Sequence, residues 1–411
     1  MGKKGTAKRV ASLSTTATTL DEKLLPVSAA LQKLDATALT RVLGNEGCEC
    51  QCLEIKQSEG ERYTGGRSTP VYHIRCSADD NLVAKLIVVD SKATHAEHQI
   101  ESYAVEAAFY RAAASAVSEA RLTIPTLLHV EHSGGVFCFL MKDLQLLYPL
   151  HPGFLPPHQA RAAVEWLASF HAVFWEAAAL PAGIWERGTF WSLDKKDNAA
   201  KVNSIASAWS GSLQWFKKKS PGECTASLKT LGARLQSVMG VLDVALNGGP
   251  KKPGKSKAKA SSFLGKHRTV IHGDYKAANM FLDEAPSCAV CDFQYAGGGY
   301  GASDLCYLLY PDARGDYLEH EEPLLDFYYE RLCDRLEGRE GSYTRERLGE
   351  HYELAQLHFM GHMLSSGWVA SQASDLAMAQ KADAMLSKWG VGTEAAGPAA
   401  LAAALERAGI M

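Results

Sequence analysis

Residues 270–309 read VIHGDYKAANMFLDEAPSCAVCDFQYAGGGYGASDLCYLL. In this stretch His272-Gly273-Asp274 is followed by Asn279, five residues after the aspartate, and Asp292-Phe293-Gln294 closes an apolar, strand-like run 13 residues further on. Phosphoryl transfer from a nucleotide needs such a set: one carboxylate to orient the acceptor hydroxyl, and oxygen ligands from Asn and Asp to hold Mg²⁺ on the phosphates. Taken singly, each of these residues caps turns as readily as it catalyses. Their joint spacing points to chemistry.

Towards the N-terminus the pattern is β-rich. From about Asp35 a short helix leads into strands at Cys52–Gln57, Val71–Cys76 and Leu82–Val89. A helix over Ile100–Val117 carries Val105, Ala108, Phe109 and Ala112 on one face, and strands follow at Ile124–His129 and Val136–Met141. This N-terminal lobe closes near Leu144. Beyond Pro157 the periodicity is helical, with helices expected at Gln159–Trp175, Ser227–Leu246, Glu321–Glu337 and Thr344–Ser366. The run from Asn247 to Ser262 is a Gly/Pro/Lys-rich linker, expected to be a mobile inserted loop.

The quoted stretch resembles the catalytic and metal loops of the aminoglycoside phosphotransferase and choline kinase superfamily, particularly its ecdysteroid-kinase-like (CHK-type) branch. Leu167 to Trp175, LASFHAVFW, is similar to that branch's LHAxFW helix signature, and Phe139 to Leu144, FLMKDL, resembles its hinge. The resemblance spans roughly residues 35–390. It implies an α+β, two-lobed protein-kinase-like fold with ATP in the cleft. The expected division is a basic Ser/Thr-rich tail over 1–22, a nucleotide-binding lobe over 23–144, and a helical catalytic and acceptor-binding lobe over 145–411.

Residue by residue, the resemblance implies that Asp274 is the catalytic aspartate, that Asn279 and Asp292 hold Mg²⁺, and that Lys85 binds the nucleotide phosphates. A strand lysine needs a helix carboxylate to orient it. Glu106, 21 residues later, is the preferred partner and Glu101 the competitor, because Glu106-x-x-Phe109-Tyr110 matches the family's helix pattern. Gly65 and Gly66, with Ser68, stand where a phosphate-covering loop belongs, since glycine frees backbone N–H groups to approach phosphate oxygens; a plain hairpin turn explains them nearly as well. Adenine recognition is expected from backbone groups at Met141–Asp143, and GTP remains an alternative nucleotide. Lys276 is expected near the transferred phosphate, where its charge would stabilise the transition state. His272 reads as a packed loop residue and Asp304 as a support of the catalytic loop. Only twelve residues separate Asp292 from Asp304, with no APE motif, which argues against a protein kinase.

Charge and cysteine usage narrow the setting. Nine of the 43 basic residues lie in two acid-free segments, at Lys3–Arg9 and Lys251–Lys259, leaving 34 against 46 acids for the rest. An acidic body disfavours nucleic acid as a partner. No apolar run reaches the ~18 residues of a membrane span, and residues 1–20 lack a secretory apolar stretch, so the chain reads as soluble and cytoplasmic. Met1-Gly2 with Thr6 fits an N-myristoylation pattern, so weak membrane tethering through Gly2 and nearby lysines, or organelle targeting by the same tail, are the alternatives. Cys48, Cys50 and Cys52 would lie ~6.6 Å apart along a strand, too far for one zinc. Cys288 and Cys291 form a lone CxxC, read with the others as reduced, structural thiols.

The expected activity is Mg-dependent transfer of the ATP γ-phosphate to a small-molecule hydroxyl: an amino alcohol, a sugar or a steroid-like alcohol. A catalytically silent nucleotide-binding scaffold is the alternative. Six of eight tryptophans fall between Trp166 and Trp215, and Trp191 is the candidate for acceptor contact. Asp316, Glu319, Glu321 and Glu322 are candidates to attract a cationic acceptor.

Overall fold

The computed structural model describes residues 26–45, 51–58, 70–77, 81–248, 265–285, 287–309, 317–367 and 373–411. The expected tail (1–22), Gly65, Gly66 and Ser68 of the expected phosphate-covering loop, and nearly all of the 247–262 linker lie outside them.

The N-terminal lobe begins with two short helices, α1 (Pro26–Gln32) and α2 (Ala36–Asn45). Strands β1 (Cys52–Gln57), β2 (Val71–Cys76) and β3 (Leu82–Val88) follow, then the long helix α3 (Ala96–Glu119) and strands β4 (Leu127–Ser133) and β5 (Val136–Lys142). They form one antiparallel sheet in the order β1-β2-β3-β5-β4. Strand alternation sends Leu82, Ala84 and Leu86 to one face, where with Cys138 and Leu140 they pack under Val27, Leu31, Leu39 and Leu43 of α1 and α2. Lys85, Ile87, Phe137 and Phe139 take the opposite face, where the two phenylalanines join the core containing Phe109 and Tyr110 of α3. Both faces are covered, so β5 is apolar without interruption from Phe137 to Met141.

The sequence places neither α1 nor its anchor. Glu131 on β4 is buried and accepts hydrogen bonds from the backbone N–H groups of Val27 (2.7 Å) and Ser28 (2.9 Å) and from the Ser28 hydroxyl (2.8 Å). These are donors that the first turn of a helix leaves unsatisfied.

The C-terminal lobe contains α4 (Pro157–Val173), α5 (Asn198–Lys201), α6 (Ile205–Lys219) and α7 (Leu231–Asn247). Four short strands come next: β6 (Thr269–Ile271), β7 (Met280–Leu282), β8 (Cys288–Val290) and β9 (Gly297–Gly299). Then come α8 (Gly301–Leu309), α9 (Tyr317–Leu336), α10 (Arg345–Ser365), α11 (Ala373–Lys388) and α12 (Gly397–Arg407). β6 pairs with β9 and β7 with β8, both antiparallel, so residues 270–300 form two small ribbons at the lobe's cleft edge. The fold is α+β, with a five-stranded antiparallel N-terminal sheet and a helical C-terminal part. Among the described residues no helix is long and apolar enough to cross a membrane.

Candidate active site

Lys85 stands on the inner face of β3 and reaches two carboxylates. Its Nζ lies 2.9 Å from Glu106 Oε2 on α3 and 3.1 Å from Asp292 Oδ1 after β8. Glu101, the competing carboxylate on the same helix, is exposed. Burial works against the Lys85 charge, but Asp292 and Glu106 outweigh it and hold the ammonium well above its ordinary range. Burial also pushes Glu106 up to about 7, against the pull of Lys85. With two carboxylates on one lysine, the cation is the fixed member of the group and Glu106 the member that titrates.

Within one turn, helix α3 holds the segment after β8 by two side chains and Lys85 by a third. Glu106 reaches Lys85, Phe109 stacks on Phe293 with ring centroids 3.9 Å apart and planes 10° from parallel, and the Tyr110 hydroxyl accepts from the Asp292 N–H at 3.3 Å. Asp292 itself adopts φ +69°, a left-handed conformation rare for a residue with a side chain and common at functional sites.

The residues of the expected catalytic loop are bound to one another. The Asn279 amide donates to the Asp274 backbone oxygen (2.8 Å) and to Oδ2 (3.2 Å), while Lys276 Nζ lies 3.1 Å from the same Oδ2. Burial raises the Asp274 carboxyl, with Lys276 opposing. Asp304 accepts from the backbone N–H groups of His272 (2.6 Å) and Gly273 (2.9 Å) and lies 3.2 Å from His171 Nε2, whose Nδ1 meets the Tyr328 hydroxyl at 2.7 Å. His272 accepts the Asp274 N–H at Nδ1 (3.2 Å), so its Nε2 carries the proton donated to the Cys291 carbonyl at 3.0 Å. Gly273 has φ +80°, and a Cβ there would lie 2.2 Å from the Tyr295 carbonyl oxygen, so this turn admits only glycine.

Six of the expected residues line one cleft between the lobes: Lys85, Glu106, Met141, Asp143, Asn279 and Asp292. The cleft encloses about 730 Å³ of space, open to solvent. Asp274 and Lys276 join it through Asn279. At the hinge, the N–H groups of Lys142 and Asp143 donate to the carbonyls of Thr126 and Asn81, both at 3.0 Å, so the backbone groups of Met141–Asp143 open to a nucleobase are the others. The Leu144 N–H, one residue on, has no hydrogen-bond partner among the described residues. The sequence reading also missed His73, which lines the cleft and meets Asp143 Oδ2 (3.3 Å) and Ser58 Oγ (3.0 Å). The signal was present: His73 shares a strand face with Val71, opposite the buried Tyr72 and Ile74.

Trp191 is not available to an acceptor. It is buried among Phe190, Tyr307 and Phe359, a position set by core packing. The fit for a divalent cation is better. The Asp292 carboxylate and the Asn279 side chain present hard oxygen donors to the same cleft, the donor chemistry Mg²⁺ prefers. Among the described residues no group of three or more His, Cys, Asp or Glu side chains is arranged so that it could hold a metal ion.

Over residues 59–347, about seven-tenths of its length, the sequence matches the APH phosphotransferase enzyme family. The chain belongs to this family. No curated protein matches it. Among solved structures it is similar to a microcompartment-associated aminopropanol kinase at 16% identity, covering 92% of this chain and 96% of that one with a TM-score of 0.45. It is also similar to a type VIII aminoglycoside-3'-phosphotransferase at 16% identity, covering 80% and 99% with a TM-score of 0.39. The macrolide 2'-phosphotransferase MphH of Brachybacterium faecium is similar at 16% identity, covering 85% and 97% with a TM-score of 0.39. In this phosphotransferase the family match takes in Lys85, Glu106, Asp274, Asn279, Asp292 and Asp304.

Proposed function

We propose that this phosphotransferase moves the γ-phosphoryl group of ATP to a hydroxyl of a small molecule, and that within its superfamily it stands closest to the CHK-type branch. The observation that carries the reading is the Lys85 ammonium held between Glu106 at 2.9 Å and Asp292 at 3.1 Å in the cleft that Asn279 also lines. Such a cation suits the α- and β-phosphates, and Asp292 and Asn279 would hold Mg²⁺ beside them. When bound, the ion neutralises charge developing on the transferred group. The Leu144 N–H is the donor best placed for the nucleobase edge. Gly65, Gly66 and Ser68 are retained as the proposed phosphate cover.

Asp274 would orient the acceptor hydroxyl and take its proton as the oxygen attacks phosphorus. Asn279 and Lys276 both bond the Asp274 Oδ2, the amide to fix the carboxylate and the ammonium to offset its charge and that of the incoming phosphoryl group. The proposed setting is cytoplasmic, where the thiols of the described cysteines would stay reduced.

The test is a Mg-ATP screen of alcohols, amino alcohols, sugars and sterols, read by product mass. Asp274→Asn is expected to lower turnover by about 10²–10⁴-fold while nucleotide affinity holds. Equal turnover by that variant would refute the assignment. ATP binding without transfer to any acceptor would favour a silent scaffold.

A further inference from the structure

Of the acids expected to attract a cationic acceptor, Glu321 and Glu322 are engaged elsewhere. Glu321 is buried, where it accepts from Tyr352 (2.8 Å) and Gln356 (2.5 Å) and pairs with Lys381, and Glu322 lies 2.6 Å from Arg345. Asp316 and the side chain of Glu319 lie outside the described residues. What the fold builds beside Asp274 is a clasp of backbone groups.

Between α4 and α5 the chain from Trp185 to Phe190 runs against two loops at once. Three successive N–H groups, those of Gly188, Thr189 and Phe190, donate to the carbonyls of Gly298 (2.9 Å), Tyr295 (3.2 Å) and Gly273 (3.2 Å). Gly273 immediately precedes Asp274, and Tyr295 follows Asp292 by three residues. In an extended strand successive N–H groups point to opposite sides, so three in a row cannot serve one neighbouring surface. Here the backbone turns at Thr189, whose φ of +70° brings successive amides round into one concave donor face.

The fit is close at the level of the backbone. A Cβ at Gly273 would lie 2.6 Å from the Thr189 nitrogen, and one at Gly297 would lie 2.7 Å from the Gly188 nitrogen. Downstream the clasp is tied to the helical lobe. Asn198 Nδ2 donates to the Phe190 carbonyl (2.9 Å), and Asp243 on α7 accepts from the Leu193 N–H (2.9 Å) and the Ser192 hydroxyl (3.1 Å).

Thr189 makes this turn against two costs. Left-handed backbone is open to glycine and unfavourable for a β-branched side chain. The side chain is also fully enclosed, and its hydroxyl has no hydrogen-bond partner among the described residues. Glycine would turn free of both costs but would leave the backbone many other conformations, whereas a packed threonine leaves one. Strain retained beside the proposed chemistry points to function.

We propose that Thr189 is a positioning residue for phosphoryl transfer: its turn locks the Asp274 loop to the segment after Asp292 and so fixes the two carboxylates relative to each other. The proposal rests on the phosphotransferase reading above and deepens it. Thr189 acts through the carbonyls of Gly273 and Tyr295, where a shift of about 1 Å is enough to slow chemistry on the order of 10²-fold.

The test compares the full chain with Thr189→Gly and Thr189→Val. Turnover is read as phosphate release from Mg-ATP, water standing in for the acceptor, and amide exchange is read by mass on peptides covering residues 185–192. Thr189→Gly is expected to lower kcat about ten- to hundredfold while KM for ATP stays within about twofold, since Lys85 and Glu106 are untouched. Its melting temperature should fall by no more than about 3 °C, because the strain and the unpaired hydroxyl leave with the side chain. Exchange at Thr189 and Phe190 should quicken about tenfold. Thr189→Val keeps the stiff β-branched shape and should hold both turnover and exchange within about threefold of wild type. Unchanged kcat and exchange in the glycine variant would overturn the proposal, as would a KM that rises in step with a falling melting temperature. A valine variant as slow as the glycine one would also overturn it, by placing the role in the hydroxyl. The exchange arm needs no turnover, so the two readings fail separately. No phosphate release from wild type, with exchange quickened in the glycine variant alone, removes the transfer reading and leaves the clasp. Release from wild type with equal exchange in all three proteins removes the clasp and leaves the transfer reading.

Discussion

Glu106→Gln keeps the shape of a buried side chain and removes the group that titrates. In the folded protein the Glu106 carboxyl is raised from 4.5 to about 7, chiefly by burial. At ~1.36 kcal/mol for each tenfold change in proton affinity, the rise amounts to about 3 kcal/mol. The sign follows from proton counting. Between 4.5 and 7 an unfolded chain has released this proton while the folded chain still binds it, so the stabilisation is complete below 4.5 and is lost as pH rises through 7. Unfolding free energies from urea melts at half-unit intervals between about pH 4.5 and 8 provide the assay. Groups shared by the two proteins cancel in their difference. The advantage of wild type over variant is expected to shrink by up to about 3 kcal/mol across that range. A difference that stays flat or grows with pH would refute the reasoning, because Lys85 would then hold Glu106 ionised throughout. The same variant should lower kcat/KM for ATP at mildly alkaline pH. Breaking a buried ion pair costs about 3–5 kcal/mol, but Lys85 keeps Asp292 at 3.1 Å, so a loss of roughly ten- to hundredfold is expected.

Lys276→Met removes the charge that opposes burial at the Asp274 carboxyl, so the acid limb of the kcat–pH profile should move to higher pH. An unmoved limb would show that another group sets it. Asp304→Asn replaces an acceptor of two backbone N–H bonds by a side chain with one acceptor oxygen and leaves a buried donor unpaired, a loss of about 1–3 kcal/mol in thermal or urea unfolding. It should also lower kcat more than it raises KM for ATP, since the displaced residues belong to the Asp274 loop rather than to the nucleotide side; a change confined to KM would contradict this.

The β-rich lobe was legible because its strands carry period-two patterns that few other structures satisfy. The expected strand at Cys52–Gln57 coincides with β1, and that at Val71–Cys76 with β2. Boundaries slipped where no local signal marks them. Helix α3 begins at Ala96 rather than Ile100, and β4 starts at Leu127 rather than Ile124. α1 went unread because its seven residues are helical chiefly through a tertiary anchor, Glu131, about a hundred positions away. The acceptor side was misread for a related reason. A tryptophan in a loop has no period to report its exposure, so Trp191 and Trp185 look alike in sequence, while only Trp191 is enclosed by Tyr307 and Phe359.

By itself the chain's order of residues determined that a carboxylate and an amide five positions apart share one loop, and that Lys85 faces opposite Ala84 on its strand. Covalent spacing and the alternation of β-structure suffice for both. Tertiary packing decided that Lys85 meets Glu106 and Asp292 together, across 207 residues of chain in the second case. It also decided that the N–H groups of Lys142 and Asp143 are engaged by the carbonyls of Thr126 and Asn81 and that Lys276 pairs with Asp274. Those outcomes depend on how two lobes and α3 close against each other, and burial and charge pairing are properties of that closure, not of any local run of residues.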